Sequence, residues 1–526
     1  MKKILPLFLS FAGIFAGTAL PLSAAGWKPV SDPGKIVPAA GEYAILISKK
    51  TARNASWKQV AEMLKKRYAG TLIFWEKDIA EVEAELKKKK PRYIAVVAQP
   101  EELDRVVVAK LHRMTRRIEP DFYGDAIFGI ITARTPAAAK RLAEEQKAPL
   151  LIERGVSTTN CDLERFKHQF FVTDWGRDEY IETRNGVSGE KKKLPRGEEI
   201  VELFAEKFAE INPQYLLSAS HATEFNLEMP FGRGLIAPAG GKFYCFKNAD
   251  MPAFRRMLGK PDQVADYAKK SELTVLRATD DPKIWIAAGN CLFGDVLRSP
   301  DSVAATLLSD YGVRQLVGYT VPTWYGVGWD VHGNFFNGHQ DVSVGQAWFF
   351  TNQRSLEKLP PALRSAEYPL TAEDMNGVDF NALQRCVVEN EIPLTRDDVG
   401  RFHDRDVIAF YGDPLFRAGF DQNAKNCQPW EYTLRARGKE RRVVVAGTQG
   451  KTRKSEFRFW FPEQRDTAKD IKIFRKKMKS AAGGEAISSG EALAPEMFTS
   501  TKNFVMLSDS LELAPDERLV ITYRVR

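Results

Sequence analysis

Cysteine is scarce in this chain: five residues in 526, at Cys161, Cys245, Cys291, Cys386 and Cys427. That density excludes a disulfide-stapled scaffold, and the odd count leaves at least one thiol unpaired or paired between molecules. Which of Cys161, Cys245, Cys386 and Cys427 are buried thiols and which pair stays open. Histidine is almost as rare, with six residues. His332 and His339 share "HGNFFNGHQD" with Asp341, but no cysteine pair or zinc spacing accompanies them, so the stretch reads as a surface loop or a glycine-rich rim. His112 and His168 sit in charged stretches, and His403 in "HDRD" reads as an exposed turn. No phosphate-binding glycine fingerprint is present in "DYGVRQLVGY". Charge of one sign is not concentrated either. Lys plus Arg number 77 against 68 Asp plus Glu, interspersed, which leaves no nucleic-acid footprint. "KKKKPR" (87–92) reads as a solvated helix end and "EKKKLPR" (190–196) as an exposed loop open to trypsin-like nicking.

Long apolar runs are absent beyond the N-terminus, where "ILPLFLSFAGIFAGTAL" follows Lys2 and Lys3 and precedes the small residues of "PLSAAG". A charged head, a short apolar body and a small-residue exit describe a secretory signal over 1–25. A spanning helix needs about 20 apolar residues, which no later segment supplies. The expectation is a chain secreted to the periplasm or beyond, with no integral span after signal removal. Its net charge then falls from +9 to +7 as Lys2 and Lys3 leave.

With 44% hydrophobic and 28% charged residues the remainder is globular, and its length suggests about three units. "EYAILIS", "TLIFW" and "RYIAVVA" alternate with the helical "SWKQVAEMLKKRYAG" and "DIAEVEAELKKKK", the signature of a parallel sheet with crossover helices. A second α/β block offers the apolar runs "QYLLSAS", "ELTVLRA", "KIWIAAGN" and "VRQLVGYTV", with strand ends gathered on one edge. From about Pro429 short alternating strands without clear helices predict an Ig-like β-sandwich. The boundaries expected are 26–150 and 151–428 for two α/β subdomains and 429–526 for the sandwich.

Two of those runs deliver chemistry. "YLLSAS" ends at His221 and "IWIAAGN" ends at Cys291, which is followed by Gly294 and Asp295. If the strands are parallel neighbours, both side chains emerge at one sheet edge. A thiol beside an imidazole gains nucleophilic character, and backbone amides at that edge can bind an oxyanion. The plainer reading is packing, since free cysteine is often buried.

Four segments in order resemble the gingipain-type cysteine peptidases of the caspase-like clan. "PDFYGDAIFGIITARTPAAA" is similar to their Asp-rich turn and strand. "YLLSASHAT" resembles the strand carrying their catalytic His, and "IWIAAGNC" the strand carrying their catalytic Cys. "VIAFYGDPLFR" resembles the Gly-Asp-Pro segment that closes their peptidase domain. The resemblance implies a caspase-like parallel-sheet α/β fold with an Ig-like tail. It implies an endopeptidase acting on protein or peptide substrates through a thioester, with Cys291 as nucleophile and His221 as general acid/base. The amides of Cys291 and Ala222 would be the oxyanion donors, Glu224 would orient the imidazole or line the substrate site, and Trp324 would wall the specificity pocket. No cofactor is implied, and calcium on surface carboxylates has no loop motif behind it. Neither a nucleic-acid partner nor an oligomeric state is indicated, and Glu224, Asp295 and Asp330 are unranked as pocket acids. Two departures stand out. Ala222 replaces the glycine that usually follows the family's His, and Asn290 precedes Cys291. They motivate the alternative, a catalytically degenerate surface or binding protein on the same scaffold. A thiol-dependent transpeptidase is a third possibility.

Overall fold

The computed structural model describes residues 26–161, 165–323, 327–366, 388–389, 393, 395–421, 428–448, 453–454, 457–462, 468–479, 486–487, 490–508 and 511–525. The expected signal, Trp324, Cys386 and Cys427 lie outside the described residues.

The architecture is mixed α/β, built on one 13-stranded sheet. Its eleven longer strands are β1 (Tyr43–Ser48), β2 (Thr71–Trp75), β3 (Tyr93–Val97), β4 (Ile127–Ile131), β5 (Arg154–Ser157), β6 (His168–Val172), β7 (Glu179–Arg184), β8 (Tyr215–Ser218), β9 (Lys283–Ala287), β10 (Val313–Tyr319) and β11 (Ile408–Tyr411). Across the sheet they run β7-β6-β5-β8-β9-β10-β11-β4-β3-β1-β2. Every residue of β1, β3, β4 and β9 is buried. Both faces of these strands are covered, which is why they read as unbroken apolar runs rather than alternating ones. The main covering helices are α1 (Ala55–Tyr68), α2 (Arg105–Arg116), α3 (Ile200–Ile211), α4 (Val303–Asp310), α5 (Gly328–Phe336) and α6 (Val344–Glu357). Several open on the caps their sequences provide: Asn54 for α1, Asp104 for α2, Ser302 for α4, and Ser343 with Gln346 for α6.

One expectation fails in an informative way. The strands do not all end on one edge. β11 pairs antiparallel with β10 and parallel with β4, so β1–β4 point opposite to β5, β6, β8, β9 and β10. Only the second block sends its strand ends to the rim beyond Ser218 and Ala287. "ELTVLRA" is not a strand either, and only Val275 bridges, to Tyr244. It packs beside an antiparallel insertion that the alternating pattern concealed, Ala222–Thr223, Asn226–Glu228, Leu235–Ala239 and Lys242–Phe246. This insertion buries its own small core of Leu235, Phe246, Phe254 and Val264.

The histidine readings also need revision. His112 and His403 are buried, and so is His339, which packs on Tyr432, Phe457 and Phe459. His332 lies within α5, not in a surface loop, and its Nδ1 meets the Tyr215 hydroxyl at 2.7 Å. Burial among aromatic rings pushes His339 down to about 3 and His112 down to about 4.

The C-terminal strands are antiparallel: β12 (Trp430–Arg437), β13 (Glu440–Gly447), β14 (Arg458–Trp460), β15 (Lys469–Lys479), β16 (Phe504–Leu507) and β17 (Glu517–Arg524). β12, β13, β17 and β15 form one sheet, and β14 with β16 belongs to another. Tyr432, Leu434, Val443, Ile521, Phe457, Phe459 and Val505 share a core between them. This layer is fastened to the α/β part. Trp460 Nε1 donates to the Tyr93 hydroxyl at 2.6 Å, and buried Arg92 donates to the Phe461 carbonyl at 2.5 Å.

The Gly-Asp-Pro segment has a structural task. Asp413, beyond the end of β11, accepts from the Tyr43 hydroxyl at 3.1 Å and the Tyr68 hydroxyl at 2.6 Å, and Arg67 lies 3.2 Å away. It thereby joins β11 to β1 and α1, far along the chain. Asp413→Ala leaves two buried phenols without their acceptor and removes the anion beside the Arg67 guanidinium, which keeps its bond to the Glu144 carbonyl. The expected cost is about 2–4 kcal/mol in urea unfolding, with Asp413→Asn costing less. A loss below about 1 kcal/mol for Asp413→Ala would remove this role.

Candidate active site

β8 and β9 are parallel neighbours in register, Ser218 opposite Ala287, and the Ala288 N–H donates to the Ser218 carbonyl at 2.7 Å. Beyond that point both chains turn. The strand expected to run to the cysteine stops at Ala287, and Cys291 stands four residues on, in a turn. The two turns touch. Asn290 Nδ2 donates to the Ser220 carbonyl, and Gly289 packs against Ala219. His221 and Cys291 are each the next residue after this direct hydrogen bond. Asn290, unexpected before a nucleophile, is the buried clamp between the two turns.

The His221 side chain is exposed, at the start of a hairpin in which Ala222 pairs with Leu227. The Glu228 N–H donates to the His221 carbonyl at 2.9 Å, a register that turns the Ala222 N–H away from its partner strand. Ala222 sits in extended backbone, outside the positive-φ set, so alanine is unstrained at this position.

Cys291 is half-buried, and burial pushes its thiol up. The Thr323 N–H at the sulfur acts in the opposite sense, and the negative charge of Asp404 raises the thiol further. On balance burial and Asp404 raise this thiol, against the lowering by the backbone amides. Asp404 is itself engaged, accepting from Thr323 Oγ1 at 3.0 Å and facing His403 Nδ1 at 2.9 Å. Asp404 and Thr323 were not singled out from sequence, and His403 was read as an exposed turn. They precede β11 or follow β10, and because β11 is antiparallel its entry, not its exit, reaches this rim. A second group was also missed. Asp174 accepts from Thr159 Oγ1 at 2.9 Å and Asn160 Nδ2 at 2.7 Å, with exposed Trp175 beside it and Thr158 near Ser220. Its signal was available: "HQFFVTDW" is an apolar run ending on polar residues, like the runs before His221 and Cys291.

After Cys291 the chain doubles back over the sheet. The Leu292 N–H reaches the Val321 carbonyl and the Gly294 N–H the Tyr319 carbonyl at 2.8 Å. Gly294 lies so close to Gly318 that a side chain would strike the Gly318 carbonyl. Leu292, Leu297 and Arg298 have positive φ. Asp295 is then fully buried, 3.1 Å from an equally buried Arg105 at the start of α2. Burial pushes its carboxyl up to about 7, opposed by Arg105 and the Leu297 N–H. Arg298 pairs with Asp104 at 2.6 Å. Glu224, on the His221 side, has its carboxyl raised by burial and lowered by Arg105, and its carbonyl accepts the Val303 N–H at 2.7 Å. So the Gly-Asp after the cysteine anchors its loop to the first block. Glu224 lies in the field of the same arginine. Asp330 falls in the first turn of α5.

Among the described residues Cys245 and Cys291 are free thiols, and burial pushes Cys245 up to about 12. Glu119, Asp121 and Asp125 come close enough to hold a cation. However, Asp125 accepts the Glu119 N–H, Asp121 accepts the Tyr123 N–H, and Lys90 and Lys502 flank Glu119 at 3.7 and 3.6 Å. These contacts describe a braced turn. No described helix is long and apolar enough to cross a membrane.

No family profile matches the chain, and no curated protein matches it. Among solved structures, one described as "Structure of Protease" aligns over 93% of this chain and 98% of its own, at 10% identity and a TM-score of 0.34.

The Arg105–Asp295 pair supplies a clear test of what holds the cysteine loop. Arg105→Met strands a buried carboxylate and is expected to lower stability by about 3 kcal/mol or more, whereas Arg105→Met with Asp295→Leu should return to within about 1 kcal/mol of wild type. Equal losses in the single and double variants, measured by denaturant unfolding, would contradict this account.

Proposed function

We propose that the chain is an exported cysteine endopeptidase of the gingipain type, with a caspase-like α/β body and an Ig-like C-terminal layer. The observation that carries the reading is the contact of the two turns beyond β8 and β9, which brings an exposed imidazole and a half-buried sulfur to one rim. In this reading Cys291 Sγ bonds to the substrate carbonyl carbon as its proton passes to His221. The carbonyl oxygen gathers negative charge against the Cys291 and Ala222 amides. The imidazolium then gives its proton to the amine as the C–N bond breaks, leaving a thioester. Water, losing a proton to His221, attacks that thioester; the C–S bond breaks and the sulfur regains a proton. Trp324 and Glu224 are proposed for the substrate side.

A second reading, a non-catalytic binding protein, is favoured by one observation: the charged group that acts on the sulfur is Asp404, which raises the thiol. Iodoacetamide labelling with peptide mapping separates the two. The peptidase reading expects Cys291 to label ahead of Cys161 and Cys245, at a rate still climbing above pH 9. Asp404→Asn, by removing a negative charge, should move that rise to lower pH. His221→Ala should cut peptide hydrolysis by about 10²–10⁴-fold. Even labelling of all three thiols, with no hydrolysis of a mixed peptide library, would favour the binding scaffold.

A further inference from the structure

The C-terminal sheet carries a feature the peptidase reading does not use. Leu434, Val443, Ile521 and Ile473 stand opposite one another across β12, β13, β17 and β15, and all four face the core. Side chains alternate across a strand, so the next row, Arg435, Arg442, Thr522 and Lys472, faces outward. The row beyond it begins Arg437, Glu440, Arg524. With Lys469 opposite Arg524, these two rows hold six cations and a single described carboxylate, Glu440, which already pairs with Arg437 at 2.6 Å. Arg442 is lowered by burial and then by repulsion from Arg437 and Arg435, while Lys476 is lowered by burial and then by Arg442. Like charges this close cost stability. The guanidiniums are also held in place: those of Arg437 and Arg442 lie 4.9 and 4.4 Å from the Trp27 ring centre.

We propose that this face binds a linear anionic polysaccharide bearing sulfate or carboxylate groups. Guanidinium forks suit planar or tetrahedral oxyanions; the strand spacing of about 4.8 Å sets Arg435 beside Arg442, and Lys472 follows two strands from Arg442, so the row offers cations at one and two strand spacings along a linear chain. Other polyanions fit less well. Single-stranded nucleic acid needs aromatic platforms, and Trp27 is already covered by two arginines. A membrane surface needs apolar side chains to insert, and the exposed large hydrophobics, such as Phe74, Trp175 and Trp329, lie on other elements. The inference is independent of catalysis at Cys291.

The test uses the full chain and heparin as the sulfated probe, with single-stranded DNA and vesicles of anionic phospholipid as parallel arms. Arg442→Glu with Lys472→Glu is compared with Lys66→Glu plus Lys88→Glu, an equal charge change on exposed helical lysines elsewhere. The face variant should lose at least about tenfold in heparin affinity, and the control should stay within about twofold. Arg442→Gln with Lys472→Gln, a milder change that keeps polar side chains, should lose about threefold and decides the matter if the reversal does not fold. Equal losses in face and control variants would overturn the proposal, as would an unaffected face variant. So would DNA or vesicles binding more tightly than heparin.

Discussion

The parallel pairing of β8 with β9 is the constraint on which the rest of the site depends. Neither strand carries a functional side chain within its ladder, since Tyr215–Ser218 and Lys283–Ala287 are buried throughout. Their contribution is to deliver two chain exits at one level, Ser218 beside Ala287, so that turns of nearly equal length meet. Parallel ladders are specified by apolar surface on both faces rather than by turn chemistry. A site built this way therefore inherits the rigidity of the core while its reactive groups stand outside it.

That rigidity would be wasted if the turn after Cys291 were loose. Its path answers why Gly-Asp follows the cysteine. Gly294 permits the backbone to lie against Gly318 of β10, and Asp295 then reaches Arg105 on the opposite-running half of the sheet. Three residues of positive φ within this stretch carry local strain that the anchoring contacts must hold. β11 makes the arrangement possible. By pairing antiparallel to β10 and parallel to β4, it merges two blocks of opposite direction into one sheet. The loop can then find its anchor across the seam.

Much of the architecture was legible because burial on both faces leaves a simple trace. "YAILIS", "TLIFW" and "VRQLVGY" are strands where their apolar runs lie, and α1 and α3 follow the helical spacing. The alternating "WEYTLRAR" and "RLVITYRV" likewise mark strands with one face in a core. Direction left no such trace. Nothing in "VIAFY" tells whether it runs with or against its neighbours, so the His403–Asp404 pair before it was read as an exposed turn. The insertion after His221 was missed because its strands, such as Asn226–Glu228, are too short to show a period. His332 and His339 were read as surface because glycines surround them, whereas packing against Tyr215 half-buries the first and packing against Tyr432 buries the second.

The surroundings of the sulfur bear on how such a rim could work. A preformed thiolate–imidazolium pair is stabilised by positive potential, and here the resolved neighbours are burial, an amide and an aspartate. Asp404 is not incidental to that balance. It is tied to Thr323, whose own amide meets the sulfur, and to His403, so it cannot swing away without loosening the donor that favours the anion. The two influences are thus mechanically coupled, one raising the thiol and one lowering it. An incoming acyl group would change the balance in one direction only. On the proposed peptidase reading it would bring a carbonyl carbon to accept the sulfur's electron pair, and exposed His221 would be left to receive the proton. A thiol whose titration is raised is also less open to oxidation at rest.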